Sequence, residues 1–333
     1  MRIGLAGAGR IGSMHAGVLA AMEPVETVVV ADVDPARAAA VAAAVGGEAC
    51  TGVEALFDRG VDALVVASST DSHAGVVIAA VAAGLPVFCE KPVAADVEGT
   101  LKVLSAIEGS DVPVQVGFQR RFDAGYLAAR EHVAGGDLGF VHTLRSCTLD
   151  PAPPPAGYVA TSGGIFRDCA VHDIDSIRWM TGQEVVSAYA VGSNQGAGFF
   201  AEVGDVATAS VVLTLDGGST GLVTCTRYNG AGYDVRLEVL GERGSVVAGL
   251  DDRTPLSSTE PGTVSPREAP WAAFAERFAP AYLAELRAFL ALVAHPGPSP
   301  CTPLDALEAF YVAEACDLSR RESRPVAVSE VRR

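Results

Sequence analysis

Positive charge is scarce in this 333-residue sequence: 24 Lys and Arg stand against 40 Asp and Glu, a formal net charge of -16. Without a basic footprint to neutralise phosphates, nucleic acid and anionic membrane surfaces are poor partners. Aromatic residues make up only 6%, which also argues against a base-stacking module. The seven cysteines (Cys50, Cys89, Cys147, Cys169, Cys225, Cys301 and Cys316) include no C-x-x-C pair. Their odd count and irregular spacing speak against a disulfide framework or a zinc knuckle, and for buried free thiols in a reducing cytoplasm. No apolar run is long and uninterrupted enough to span a bilayer. The small-residue stretch after Met1-Arg2 is broken by Arg10 and His15, unlike a signal peptide. No internal repeat is present. What remains is 49% hydrophobic and 19% charged, a globular composition with enough chain for two domains and a large core.

The first third alternates short apolar runs with helical stretches. Strands are expected near 2–5, 27–31, 63–67, 86–89 and 114–117, and helices near 11–22, 35–45, 73–83 and 97–107. Near-continuous apolar strands separated by helices predict a parallel sheet covered on both faces. Near residue 120 the pattern changes. After a helix over 123–135, longer alternating strands are expected at 140–149, 185–191, 206–215, 219–227, 235–241 and 245–248. Asp216-Gly217-Gly218 and Gly241-Glu242-Arg243-Gly244 read as hairpin turns. This half is predicted to be a mostly antiparallel sheet, interrupted by a helix over 166–180 that stops at Gly182. An exposed loop over 251–270 and helices over 272–293 and 303–321 complete the reading. The expected domains are residues 1–120 and 121–333, with the last helices free to pack back on the first.

Gly7-Ala8-Gly9-Arg10-Ile11-Gly12 follows a strand and opens a helix. In that context the glycines give a tight turn, close approach of a pyrophosphate, and close helix–strand packing. The helix N-terminus offers unpaired N–H groups to phosphates. Asp32 ends the second strand 20 residues after Gly12. A carboxylate there accepts from ribose hydroxyls and repels a 2′-phosphate, so NAD is favoured over NADP, with Arg37 as the reservation. Ser68, Ser69, Thr70 and His73 lie where a strand enters a helix. The small hydroxyl residues over 69–72 could cap that helix, the segment could also contact the cofactor, and the two readings are compatible.

Glu90-Lys91-Pro92 leaves the fourth strand of that reading. A Lys at the carboxyl edge of a parallel strand can hydrogen-bond a reacting oxygen. Asp168 and His172 are four apart on a predicted helix and share a face. A carboxylate can orient an imidazole there, and a near-neutral imidazole suits a general base. The bland readings are a surface Lys, a structural His and a helix-surface Asp. Arg120 and Arg121 could be a surface pair, and His142 and Tyr158 could reach a pocket. Trp179, Met180, Phe289 and Phe310 read as core.

Taken in order, Gly7 to Gly12, Glu90-Lys91-Pro92, Gly117-Phe118-Gln119-Arg120-Arg121-Phe122-Asp123 and Gly163-Gly164 through His172-Asp173-Ile174-Asp175 resemble the glucose–fructose oxidoreductase/inositol dehydrogenase (Gfo/Idh/MocA) family over nearly the whole chain. The resemblance is nearest to its inositol 2-dehydrogenase branch. It implies a Rossmann domain, then an α/β domain whose large open sheet forms a homodimer or homotetramer interface. It implies Lys91, Asp168 and His172 as the catalytic group, and Arg121 and Tyr233 at the substrate with them. It also implies Glu90 and Gln119 near the nicotinamide ribose. One departure stands out: similar inositol dehydrogenases carry Tyr-Gly-Tyr-Asp where this chain has Ala231-Gly232-Tyr233-Asp234. Loss of one hydroxyl partner can shift discrimination between substrates differing by one hydroxyl.

The expected function is NAD-dependent oxidation of a secondary hydroxyl of a cyclitol or sugar, in the cytoplasm and without a metal. The alternatives are an NAD-using glycosidase of the same family and a non-catalytic NAD- or sugar-binding regulator.

Overall fold

A computed structural model of the chain describes residues 1–262, 266 and 268–332. Within the predicted loop 251–270, positions 263–265 and 267 lie outside the described residues. The chain divides into two compact units: Met1–Gln119 with Ala281–Leu307, and Arg120–Pro280 with Glu308–Arg333.

In the first unit, six strands form one sheet: β1 (Arg2–Ala6), β2 (Thr27–Asp32), β3 (Glu48–Thr51), β4 (Ala63–Val66), β5 (Val87–Glu90) and β6 (Val114–Gly117). Their order is β3-β2-β1-β4-β5-β6, and every pairing is parallel. This is the Rossmann order, with the switch point between β1 and β4. The four main connecting helices are α1 (Arg10–Ala20), α2 (Pro35–Val45), α3 (Thr70–Ala82) and α4 (Val97–Ile107). Asp34 caps α2 through the Ala36 and Arg37 amides, Pro35 opens it, and Gly46 closes it at φ 67, each in its preferred place. Ile3, Leu5, Val28, Val30 and Phe88 pack with Leu286, Phe289 and Leu290 of the helix Ala279–Ala294 in one buried cluster. A helix from residue 272 would place Pro280 in its interior. Instead, Pro280 stands in the first turn, where its missing N–H costs nothing.

In the second unit, β7 (Val141–Leu149), β8 (Val185–Ser193), β9 (Thr208–Leu215), β10 (Thr220–Thr226), β11 (Asp234–Gly241), β12 (Ser245–Ala248) and the short β13 (Val326–Ala327) form a seven-stranded sheet. Its order is β12-β11-β7-β10-β9-β8-β13, and only β7–β10 is parallel. Both predicted turns join antiparallel neighbours. One row of paired residues crosses six strands: Tyr189, Val212, Leu222, Arg145, Glu238 and Val247. Tyr189, Val212 and Leu222 of that row are exposed. The alternating burial of β9 and β10 leaves this face uncovered within the unit.

The helix expected from Phe166 begins instead with a π turn, Phe166–Ala170, and becomes α-helical over Val171–Thr181, ending at Gly182 with φ 65. π turns are rare and recur at functional sites. Arg120 and Arg121 are not a surface pair, being 2% and 6% exposed. Arg120 donates to Asp173 and Thr148, and Ser146 and Thr148 donate to the same Asp173 carboxylate. A buried charge is tolerated only when paired and hydrogen-bonded in this way.

Candidate active site

In the first unit the chain leaves β1 through Gly7 at φ 104. A Cβ there would lie 2.5 Å from the Ala67 carbonyl oxygen and the Ser68 nitrogen. A Cβ on Gly12 would fall 2.0 Å from the Gly7 carbonyl oxygen. Both positions exclude any side chain. Gly9 differs: its backbone is extended (φ -74, ψ -167), and a Cβ would meet nothing within 4 Å. Neither strain nor crowding within the chain calls for glycine at that position. A pyrophosphate pressed against the backbone does, so these residues fit a dinucleotide. Gly9 caps α1 without a side-chain cap, and the first turn holds no acid, which suits an anion. Arg10 is exposed and Ile11 half-buried beside it.

Asp32 ends β2 and is 8% exposed. One oxygen accepts from the Ala8 amide at 2.7 Å and the other from the Asp34 amide at 2.8 Å. Burial pushes this carboxyl up, but the two amides and Arg37 outweigh it and hold it below the usual aspartate range. Arg37 Nη2 stands 3.3 Å from Asp32 Oδ1. Arg37, the cation on the next helix, is therefore already paired with the group that repels a 2′-phosphate.

Ser69 is the N-cap of α3 by position, yet its side chain makes no cap bond. Ser72 instead donates to the Ser69 carbonyl and meets the Ser68 hydroxyl at 2.6 Å. The capping expectation for Ser69 is thus corrected. Its hydroxyl is exposed, and Ser68 and Thr70 are half-buried. His73 is 2% exposed, with its ring nitrogens on the carbonyls of Pro92 (2.8 Å) and Ser68 (3.1 Å). It clamps two loops together. Glu90 ends β5, Lys91 follows half-buried, and Gln119 is buried after β6. Glu90 Oε1 lies 2.6 Å from His15 Nε2.

In the second unit, Gly163 and Gly164 take left-handed φ values of 79 and 89. Asp205 accepts from the Ile165 amide at 3.0 Å, fixing the entry to the π turn. Asp168 sits within that turn and is gripped from two other segments. Tyr158 donates to Oδ1 at 2.9 Å, and Arg227 Nη2 donates to Oδ2 at 2.5 Å. Arg227 Nη1 donates in turn to Asp150 Oδ2 at 2.7 Å. Burial opposes the Arg227 charge, but Cys169, Asp168 and Asp150 outweigh it and fix the guanidinium as a cation. Burial and the adjacent Asp168 push the Tyr158 phenol up, so it remains a donor. His172 stands half-buried four residues after Asp168, at the start of the α-helix.

Arg121 binds Asp175 in a two-pronged buried pair, at 2.9 and 2.6 Å. Tyr233 is 5% exposed, and its backbone bridges to Trp271. Ala231 is exposed. His142 is exposed on β7, with Nδ1 3.0 Å from the Thr143 hydroxyl. Met180, Phe289 and Phe310 are buried, and Trp179 stacks under Arg130 at 4.5 Å. Six of the seven cysteines are buried and all are free. Arg227, Asp150 and His15 had no local signal in the sequence, because their partners lie far along the chain. No helix among the described residues is long and apolar enough to cross a membrane.

Residues 1–118 match the family described as an oxidoreductase family with an NAD-binding Rossmann fold, and residues 126–247 match the GFO/IDH/MocA C-terminal domain. A myo-inositol dehydrogenase of Streptomyces leeuwenhoekii is 38% identical over 98% of this chain and 100% of its own length. A myo-inositol dehydrogenase structure from Corynebacterium glutamicum superposes with a TM-score of 0.90 at 34% identity, over 98% of both chains. A scyllo-inositol dehydrogenase of Lactobacillus casei, solved with NAD(H) and scyllo-inositol, gives a TM-score of 0.90 at 28% identity over 99% of both chains.

Proposed function

Because the chain belongs to the GFO/IDH/MocA family of oxidoreductases with an NAD-binding Rossmann fold, we propose that it reversibly oxidises a secondary ring hydroxyl of a cyclitol or sugar. The names of its full-length relatives support that substrate class. The observation that carries the chemistry is the Asp168 carboxylate, held by Tyr158 and Arg227 and four residues ahead of His172. When bound, NAD supplies the acceptor for the carbon-bound hydrogen.

The chain's own residues handle the proton and the positioning. His172 accepts the hydroxyl proton as general base. Asp168, kept anionic by the Arg227 guanidinium, orients His172 and stabilises its charged form. Lys91 hydrogen-bonds the reacting oxygen and favours its alkoxide character. Arg121 and Tyr233 line the substrate side; Arg121 does so from a guanidinium already fixed by Asp175. Gly7, Gly9, Arg10, Ile11 and Gly12 hold the pyrophosphate. Asp32 takes the adenosine ribose, and Ser68, Ser69, Thr70, Glu90 and Gln119 lie along the cofactor, with His73 bracing their loops.

The exposed row Tyr189, Val212 and Leu222 supports assembly into a homodimer or homotetramer through the seven-stranded sheet, as an uncovered apolar sheet face favours association. A reducing cytoplasm suits the seven free thiols.

The test is NADH formation with NAD or NADP across inositol isomers and aldoses. NAD-dependent turnover of at least one cyclitol or sugar is expected. Measurable NAD binding with no turnover across the panel would overturn the reading.

A further inference from the structure

Four buried polar atoms of the first unit lack a hydrogen-bond partner: His15 Nδ1, Gln115 Oε1 and both carboxylate oxygens of Glu285. They are neighbours. Gln115 Nε2 donates to the Glu285 backbone carbonyl at 2.9 Å. Donor atoms of His15, Glu90 and Glu285 all lie within 4.8 Å of one another. Glu285 and His15 are both 0% exposed. Phe88 and Tyr282 meet the His15 ring edge-on.

An ionised carboxylate cannot remain in such a place without compensation. Either a cation or a proton must supply it. Donors sharing one tetrahedral zinc-sized ion stand about 3.4 Å apart. His15 Nε2 and Glu90 Oε1 are 2.6 Å apart, the length of a hydrogen bond with a proton between them. A metal would have to break that bond first, and a proton on Glu285 would not.

We propose that Glu285, packed beside the hydrogen-bonded His15–Glu90 pair, is a buried neutral acid, and that it is thereby a positioning residue for Lys91. The groups facing Glu285 are Glu90 from β5, His15 from α1 and the uncharged Gln115 from β6, while Tyr282 of the same helix faces His15. Burial, and then the charge of Glu90, drive the Glu285 carboxyl well above its ordinary range. Were Glu285 ionised, two carboxylates within 4.8 Å would repel. Glu90 would swing off His15, and the strand end that carries Lys91 would shift with it. The link to Lys91 rests on the function proposed above; the protonation of Glu285 does not.

The experiment uses the full chain with glutamate carboxyls isotopically labelled, alongside Glu285→Gln and Glu285→Leu. Infrared difference spectra of native protein against Glu285→Gln at neutral pH are expected to show a protonated-carboxyl C=O band lost in the variant. Metal analysis is expected to find no stoichiometric divalent ion. Glu285→Gln, which mimics the neutral acid, should stay within about threefold of native kcat. Glu285→Leu should lose about tenfold in kcat, with the KM for NAD changed far less. Absence of the band, or one bound divalent ion per chain, overturns the neutral acid. A Gln variant as damaged as the Leu variant overturns the positioning role. If the native chain oxidises no cyclitol or sugar, the Lys91 link falls with the proposed function, and the infrared band alone decides the protonation of Glu285.

Discussion

Arg227→Leu should separate the two duties of the second unit's guanidinium. The native side chain is 6% exposed and bridges Asp150 at 2.7 Å and Asp168 at 2.5 Å, whose side chains are 23% and 12% exposed. Leucine leaves two half-sheltered carboxylates facing each other without a cation. Removing one partner of a fully buried pair costs 3–5 kcal/mol; the partial exposure of Asp150 points to the lower end, about 3 kcal/mol. For a unit of this size that lowers Tm by roughly 6–12 °C. Asp168 then loses its Arg227 anchor beside His172, and misplacement of a catalytic group costs on the order of 100-fold in kcat. Thermal melts of the ligand-free protein and initial rates of NADH formation read the two effects separately. Arg227→Lys keeps the charge but cannot fork to both carboxylates, so it should fall between the two. An Arg227→Leu protein melting within about 2 °C of native and turning over within about threefold would refute the argument.

Gly9 and Gly12 should respond in opposite ways. Gly9→Val meets open space, so the fold should survive while NAD affinity falls by about tenfold or more in a fluorescence titration. Gly12→Ala drives a methyl to 2.0 Å from a backbone oxygen, so stability itself should fall, by about 3 kcal/mol in denaturant melts. Asp32→Ser should raise kcat/KM with NADP by about tenfold or more and lower it with NAD, since Arg37 is then released from its 3.3 Å pair. The same variant should change acid stability. The native Asp32 carboxyl is held low, so its contribution is complete above the ordinary aspartate pKa and is lost as pH falls through the depressed folded value. The native protein should therefore weaken more steeply in acid than Asp32→Ser.

The first unit was largely legible because its signals are local. Apolar runs of four to six residues, Asp34-Pro35 and the glycine fingerprint each determine their own neighbourhood. The strand Glu48–Thr51 escaped because Glu48, Ala49, Cys50 and Thr51 form neither an apolar run nor a clean alternation. In the second unit the hairpin turns declared the strands. The π turn at Phe166–Ala170 did not declare itself, since nothing in the residue types separates it from an α-helical start. The site was legible only as far as its own loop. The groups gripping Asp168 arrive from residues 158 and 227, and the partner of Glu90 comes from residue 15. Pairings at such separations are set by topology, which spacing along one element cannot report.

The first unit is not one stretch of chain. Its sheet needs Leu286, Phe289 and Leu290 to cover one face, and Gln115 needs the Glu285 carbonyl. During synthesis, the six parallel strands therefore emerge well before the helix that seals them. The nascent sheet must wait, with apolar surface open, while the whole intervening segment is made. A chain cut after Pro280 would lose far more than its tail: the cofactor-binding half would be left unfinished.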